Sequence, residues 1–370
     1  SVSRLRSGAS STDKAPKASK PAADKPLADK QVADGAATKV PAPRSTHERL
    51  QATLRRGNES LSPRALRRLL ADLQDVVAPQ VSELEGGRRA QVVAGWYGQA
   101  EPEERRDMWL LLCEQFAPDA TRFQSARQRY EAAAGTADEG QAEISLRRAL
   151  VSPRTRLMQR FAVFPEGMRF LVDLRAELLP QLKSDKRLVA LDADLEHLFT
   201  TWFDVAFLEL RRLSWDSPAS LIEKLIKYEA VHDIRSWADL KNRLDSDRRC
   251  YGFFHPRLPN EPLIFVEVAL VDRISSSITP LLDEAAAPAD LKKATTAIFY
   301  SISNTQPGLR GVSFGDSLIK HVVETLTAEF PRLRTFATLS PIPGFRGWLG
   351  KNAGAMLERL DEKRRTELGR

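Results

Sequence analysis

Residues 294–350 decide the fold prediction. They begin with ATTAIFYSISN at 294–304, continue through TQPGLRGVSFG at 305–315 and reach LSPIPGF at 339–345. The β-prone run 297–302, followed by turn residues, predicts a strand, and apolar residues at helical spacing in 317–330 predict a helix. Small residues between a strand and a helix let backbone N–H groups approach an anion at the positive end of the helix dipole. A glycine loop of this kind is also typical of ordinary loops, so its meaning depends on the neighbouring segments.

Those neighbours predict two regions of different character. Residues 46–200 have helical patterns throughout. One example is Ser62-Pro63, which predicts a helix start, and the residues after it form one apolar face. From residue 201 the pattern predicts a strand at 207–215, two helices, a hairpin with a long loop at 249–271, and then the strand, loop, helix and final strand of the deciding stretch. The fold class is therefore α+β, with an N-terminal all-α helical bundle followed by a mixed α/β domain.

Composition excludes several classes of protein. The 370 residues carry a net charge of +7, but residues 1–46 hold nine Lys or Arg against four Asp, so only about +2 remains for the rest. A basic nucleic-acid-binding face is not expected. Residues 1–45 contain almost no large apolar side chains and are predicted to be disordered. No apolar run is long enough to cross a membrane, and Cys113 and Cys250 have no spacing that suggests a zinc site or a disulfide framework.

The loop RGVSFG at 310–315 resembles the phosphate loop of the acetyltransferase-like (GNAT) fold. In that fold the loop amides hold the pyrophosphate of coenzyme A, and the pantetheine arm lies in a gap between the strand before the loop and the strand after the helix. Ser313 replaces the usual middle glycine, so the site must accommodate a Cβ there. The resemblance assigns CoA binding to Gln306, Gly308, Arg310, Gly311, Val312, Ser313 and Gly315.

Longer segments resemble the malonyl-CoA decarboxylase family. They are FYSISNTQPGLRGV at 299–312, LSPIPGF at 339–345, Ala230-Val-His with Trp237, Arg248-Arg-Cys-Tyr and Glu261-Pro-Leu. The resemblance covers about residues 45–370 and implies decarboxylation of malonyl-CoA to acetyl-CoA and CO₂, with a CoA thioester as substrate and no metal or organic cofactor. It also implies a helical oligomerisation domain at 46–200 and a GNAT-like catalytic domain at 201–370.

The same resemblance implies the catalytic residues. Ser340 occupies the position of the family's catalytic serine, and Ser301 occupies a second family position that we assign to substrate positioning. Ser-Pro pairs elsewhere in the chain, at Ser62, Ser152 and Ser217, have the pattern of helix caps, so capping is the alternative for Ser340. The family's catalytic histidine matches none of His47, His197, His232, His255 or His321. We expect it beyond Arg370, which implies a domain that is incomplete at its C-terminus.

Two other functions remain open at this stage. One is a CoA-dependent N-acyltransferase of the same fold, although no acidic pair marks an amine site. The other is a non-catalytic helical interaction protein. The expected partners are malonyl-CoA and acetyl-CoA, with a homo-oligomer, dimer or tetramer, formed through the helical domain. The expected compartment is the cytoplasm for a bacterial protein, or the mitochondrial matrix or peroxisome otherwise.

Overall fold

The computed structural model describes residues 44–57, 59–312, 317–361 and 364. Most of the segment predicted to be disordered, residues 1–43, lies outside the described residues, so that expectation stays a prediction. From Arg44 onward the chain forms one compact unit.

The first half of this unit is helical, as predicted. Its helices are α1 (Thr46–Gln51), α2 (Pro63–Val76), α3 (Glu83–Gln99), α4 (Pro102–Gln115), α5 (Ala120–Ala133), α6 (Glu139–Leu150), α7 (Pro153–Phe161), α8 (Gly167–Leu178) and α9 (Val189–Trp202). Helix α2 begins as its sequence predicts, because the Ser62 hydroxyl accepts a hydrogen bond from the Ala65 amide at 3.2 Å and Pro63 fills the first helical position. Its apolar face, with Leu66 and Leu73, is buried.

The second half is a mixed sheet with flanking helices. Its elements are β1 (Glu209–Leu213), α10 (Ala219–Tyr228), α11 (Trp237–Arg243), β2 (Arg248–His255), β3 (Leu258–Val271), β4 (Thr296–Asn304), α12 (Ser317–Glu329), β5 (Thr335–Thr338) and α13 (Phe345–Glu358). Among the described residues the strand order is β1-β2-β3-β4-β5, antiparallel except for the parallel pair β4 and β5. The α+β prediction and the order of elements are confirmed.

The prediction of a long loop in the β2–β3 hairpin is wrong. Only Pro256 and Arg257 separate the strands, since β3 begins at Leu258, opposite His255. The turn-prone residues 259–262 lie instead within the first part of β3, where register shifts between Phe253 and His255 accommodate them.

Both faces of the sheet are covered. On one face Val266, Val268 and Phe299 belong to a single apolar core that includes residues of α2, α3, α4, α7, α8, α9 and α12. On the other face Phe265 packs with Leu225 of α10 and with other apolar residues of α10 and α11. The helical region and the sheet therefore share a core, while the domain boundary placed at residue 200 stays a prediction.

Arg243 attaches α11 to the sheet through a buried contact with Glu267. Arg243 Nε lies 2.8 Å from Asp239 Oδ1, and its Nη1 lies 3.0 Å from Glu267 Oε2 on β3. Glu267 is fully buried, and among the described residues its second oxygen has no hydrogen-bond partner. Burial raises the pKa of Glu267 to about 8, although the Arg243 guanidinium acts in the opposite direction.

The Glu267 carboxyl predicts a pH-dependent stability. Its folded-state pKa of about 8 lies above the ordinary value of 4.5, so folding takes up a proton between these values and the stabilisation is lost as the pH rises through 8. The free energy of unfolding should fall by about 2 kcal/mol between pH 6 and pH 8.5 because of this group. Urea titrations at both pH values should show this fall in the wild type and in the control Glu223→Gln, and a smaller one in Glu267→Gln. The same fall in all three proteins would contradict the assignment.

Candidate functional site

Among the residues that the structure describes, none forms a strand beside the second half of β4 on the side of β5. The parallel pairing runs from Thr296 opposite Thr335 to Phe299 opposite Thr338, and the Leu339 amide donates one further hydrogen bond to the Phe299 carbonyl at 2.8 Å. Beyond that point, among the described residues, 301–304 pair only with β3. The two strands therefore separate, and a stretch of β4 is left without a neighbouring strand at this edge.

Ser301 lies in this stretch and is held by a carboxylate. A register shift in the β3–β4 ladder places Ser301 opposite Glu267, with Tyr300 as the extra residue. Its hydroxyl donates to Glu229, at 2.7 Å to Oε1 and 2.9 Å to Oε2, and lies 3.2 Å from the Ser303 hydroxyl. Ser301 is 2% exposed. It is thus a buried, hydrogen-bonded residue.

Ser340 lies at the same end of the strand pair, one residue beyond the last β4–β5 hydrogen bond. Unlike Ser301 it is exposed, and within the described part of the chain no hydrogen bond joins the two serines. Helix α13 begins only at Phe345 and has Gly344, at φ +76°, as its N-cap residue. Ser340 is therefore not a helix cap.

The other Ser-Pro pairs differ among themselves. Ser62 and Ser152 cap α2 and α7 as their pattern predicts. Ser217 does not cap α10, because Pro218 is the N-cap residue and the Ser217 hydroxyl instead accepts from the Ser214 amide in the preceding turn.

The predicted phosphate loop divides into buried and exposed positions. Gln306 is buried, with Oε1 accepting from Arg169 at 2.8 Å and Nε2 donating to the Pro262 carbonyl at 3.0 Å. Gly308 packs so closely on α8 that a Cβ would lie 1.9 Å from the Val172 carbonyl oxygen. Val312 is also buried. These three residues fix the position of the loop.

Arg310 and Gly311 are exposed in the described part of the loop, as is Pro307. Gly311 has φ +86°, a conformation that favours glycine. The amides of Leu309, Arg310 and Val312 donate to carbonyls inside the loop at 3.0–3.1 Å, so they are already used. Ser313 and Gly315 lie outside the described residues, and the assignment of the loop to CoA stays a prediction.

Arg175 of α8 connects the loop to the helical region. Its Nη1 donates to the carbonyls of Gly308 and Arg310 at 2.9 and 2.8 Å. Its Nε and Nη2 donate to Asp192 and Glu196 of α9 at 2.8 and 3.1 Å. Arg175 is 1% exposed, so two helices and the loop are joined through one buried guanidinium.

Arg175 and Glu229 are two residues of this region that the sequence did not predict. Arg175 follows Leu171 by four residues on the apolar face of α8, and a charged residue in that register is a signal of a buried ion pair. Glu229 stands directly before Ala230-Val-His, a segment quoted for the family resemblance, but its contact with β4 has no local signal. Burial lowers the pKa of the neighbouring His232.

The sheet is mixed, and its parallel strands β4 and β5 separate beside a loop and a helix. This is the arrangement of the acetyltransferase-like fold, and a helical region precedes it here. Comparison with known families makes this more specific. The family model described as "Malonyl-CoA decarboxylase C-terminal domain" matches residues 206–368, and the "Malonyl-CoA decarboxylase N-terminal domain" matches residues 116–203.

Solved structures agree with these matches. A malonyl-CoA decarboxylase from Rhodopseudomonas palustris is 42% identical, with a TM-score of 0.70 over 82% of this chain and 73% of its own. One from Agrobacterium vitis is 39% identical, with a TM-score of 0.73 over 81% of this chain and 72% of its own. The chain belongs to the malonyl-CoA decarboxylase family.

Among curated relatives, mitochondrial malonyl-CoA decarboxylase of Mus musculus is 38% identical over 273 residues, 71% of this chain and 56% of that protein. The protein of the same name from Anser anser anser is 42% identical over 228 residues, 60% of this chain and 45% of its own. The chain thus spans about half the length of these relatives. Within its described residues, no helix is both long and apolar enough to span a membrane.

Arg175→Met should lower the free energy of unfolding by about 3 kcal/mol, because it leaves two carboxylates and two loop carbonyls without their donor. The matched control is Arg127→Met, which removes an exposed pair with Glu131 and should cost about 0.5 kcal/mol or less. Urea unfolding of both variants measures the difference. Equal losses would show that the buried guanidinium does not anchor the loop.

Proposed function

We propose that this protein decarboxylates malonyl-CoA to acetyl-CoA and CO₂. The observation that carries the proposal is the family membership of a chain in which Ser340 lies exposed where β4 and β5 separate. Neither the N-acyltransferase nor the non-catalytic alternative is favoured by a specific feature of the described residues, so both become outcomes of the test.

The substrate explains what the site must provide. Breaking the bond between C2 and the carboxylate releases CO₂ and moves the electron pair into the thioester, giving an enolate whose oxygen is negative. A proton then adds to C2. The thioester serves as the electron sink, so we propose that no metal or organic cofactor takes part. The protein must supply a hydrogen-bond donor for the enolate oxygen and a proton for carbon.

Ser340 is suited to the donor role. Its hydroxyl is exposed at the open end of the strand pair, whereas the proton of Ser301 is already donated to Glu229. We assign Ser340 to the thioester or malonyl group and Ser301 to positioning of the substrate. The proton donor for C2 is not assigned to any of the five histidines.

The CoA part of the substrate is proposed to lie along the edge of β4 beyond Phe299. The pantetheine arm is an extended chain with amide groups, and such a chain pairs with strand backbone that has no neighbouring strand, here residues 301–304 of β4. The pyrophosphate would then lie at the loop, near Arg310, Gly311 and the start of α12, where a helix N-terminus favours an anion. Ser313 and Gly315 belong to the same proposed cradle.

Assembly and compartment are proposed on broader grounds. We propose a homo-oligomer, dimer or tetramer, formed through the helical region. The curated relatives are named as mitochondrial proteins and the related structures are bacterial, which supports the mitochondrial matrix or the cytoplasm according to the source, with the peroxisome as an alternative.

Ser340→Ala should lower kcat for CO₂ release from malonyl-CoA by about 100-fold, because it removes one donor to the developing oxyanion. Its unfolding free energy should change little, since the residue is exposed. Ser62→Ala is the matched control: it removes a cap at a cost of about 1 kcal/mol but leaves turnover unchanged. The assay uses the complete gene product.

Other results would point elsewhere. Consumption of acetyl-CoA with an amine, and none of malonyl-CoA, would favour the N-acyltransferase. No binding of any CoA thioester would favour the interaction protein. Full activity of Ser340→Ala would remove Ser340 from the site.

A further inference from the structure

Glu229 stands in an unusual place for a carboxylate. It is the residue directly after α10, at the negative end of the helix dipole, where an acidic side chain is disfavoured. It is also only 7% exposed. A buried carboxylate at this position lowers the stability of the fold unless hydrogen-bond donors surround it. The donors that contact Glu229 therefore indicate what the residue does.

Four donors converge on this carboxylate. The amides of Val231 and His232 donate to Oε1 at 2.9 Å each. The hydroxyls of Ser301 and Ser303 on β4 donate to the two oxygens at 2.7–3.1 Å. The carboxylate therefore fixes the segment after α10 and two side chains of β4 at once.

Further contacts make this cluster rigid. The Ser303 hydroxyl accepts from the Ala230 amide at 3.1 Å while it donates to Glu229. Arg243 donates to the His232 carbonyl at 2.8 Å, which secures the other end of the segment. Ser301 and Ser303 are each at most 2% exposed. Hydrogen bonds in such a dry environment are stronger and more strictly oriented than in water.

The contact with Glu229 determines whether Ser301 can act as a hydrogen-bond donor or acceptor toward other groups. A serine hydroxyl has one proton and two lone pairs, and here the proton is committed to the carboxylate. Ser301 can therefore present only acceptor lone pairs to any other group. Without Glu229 the hydroxyl would be free to rotate among its rotamers and to donate elsewhere.

We propose that Glu229 is a positioning residue for the decarboxylation site, which sets the place and the proton direction of Ser301. This inference rests on the proposed function. It adds that Ser301 serves the site as an acceptor, and that the enolate oxygen must find its donor in another residue, such as Ser340.

Glu229→Gln tests the claim with little change of shape. The new amide nitrogen would donate where a carboxylate oxygen accepted, so the Ser301 proton would turn away from residue 229. In the complete gene product we expect kcat for CO₂ release to fall by about 10- to 100-fold, as for other residues that orient a site residue, with KM within about threefold of the wild type because substrate contacts stay. Glu223→Gln, an exposed change on α10, is the matched control and should be unchanged.

A double-mutant cycle separates positioning from general stability. If Glu229 acts through Ser301, Ser301→Ala combined with Glu229→Gln should be no slower than Ser301→Ala alone, within about threefold. Ser303→Ala removes a donor from the same carboxylate but leaves Ser301 bound to it, so its loss of kcat should be smaller than that of Glu229→Gln; an equal loss would contradict a role that acts through Ser301. Thermal unfolding confirms that each variant is folded at the assay temperature.

The outcomes are distinct. A kcat of Glu229→Gln within threefold of the wild type, or a double variant that loses the product of both single factors, would overturn the positioning role and leave the proposed function intact. A wild-type protein that releases no CO₂ would overturn the proposed function and this inference with it.

Discussion

The buried guanidinium of Arg175 is the interaction on which the arrangement of the site depends. One side of it meets Asp192 and Glu196 of α9, and the other meets the carbonyls of Gly308 and Arg310 in the loop. A guanidinium has five donors in a fixed plane, so it can hold carboxylates and carbonyls together where a lysine could not. The helical region is thus part of the support for the loop, and the shared apolar core extends that support to the sheet.

A second constraint is the early end of the β4–β5 pairing. Because the strands separate after Phe299, one edge of β4 has no neighbouring strand among the described residues, while its other edge stays in the ladder with β3. The two serines at this end differ in solvent exposure and in hydrogen bonding. Ser301 is buried and bound to Glu229, and Ser340 is exposed beyond β5. Their different surroundings suit the different roles that we propose for them.

Much of the fold could be predicted from local patterns. The apolar periodicity and Ser62-Pro63 predicted α2, and the β-prone run 297–302 lies within β4. The hairpin loop was misjudged because Pro259 and Pro262 are turn-prone by themselves, whereas the register shifts of the ladder accommodate them in β3. Tertiary pairing decided the outcome there, and no local signal reports it.

The site was less predictable than the fold. Arg175 reaches carbonyls more than 130 residues away in sequence, and Glu229 reaches hydroxyls more than 70 residues away, so neither contact follows from spacing. The signal for Ser340 comes from family resemblance in the surrounding LSPIPGF segment, because a Ser-Pro pair by itself favours a helix cap. That alternative could be rejected only when α13 was found to begin at Phe345.

The most direct test of the account is a crystal structure of the complete gene product with an unreactive malonyl-CoA analogue. We expect the pantetheine arm to lie between β4 and β5 beyond Phe299 and the pyrophosphate to lie at the loop that Arg175 contacts. Ser340 Oγ should lie within about 3 Å of the malonyl or thioester oxygen. An analogue bound away from this opening, or a Ser340 hydroxyl that contacts no part of it, would contradict the account.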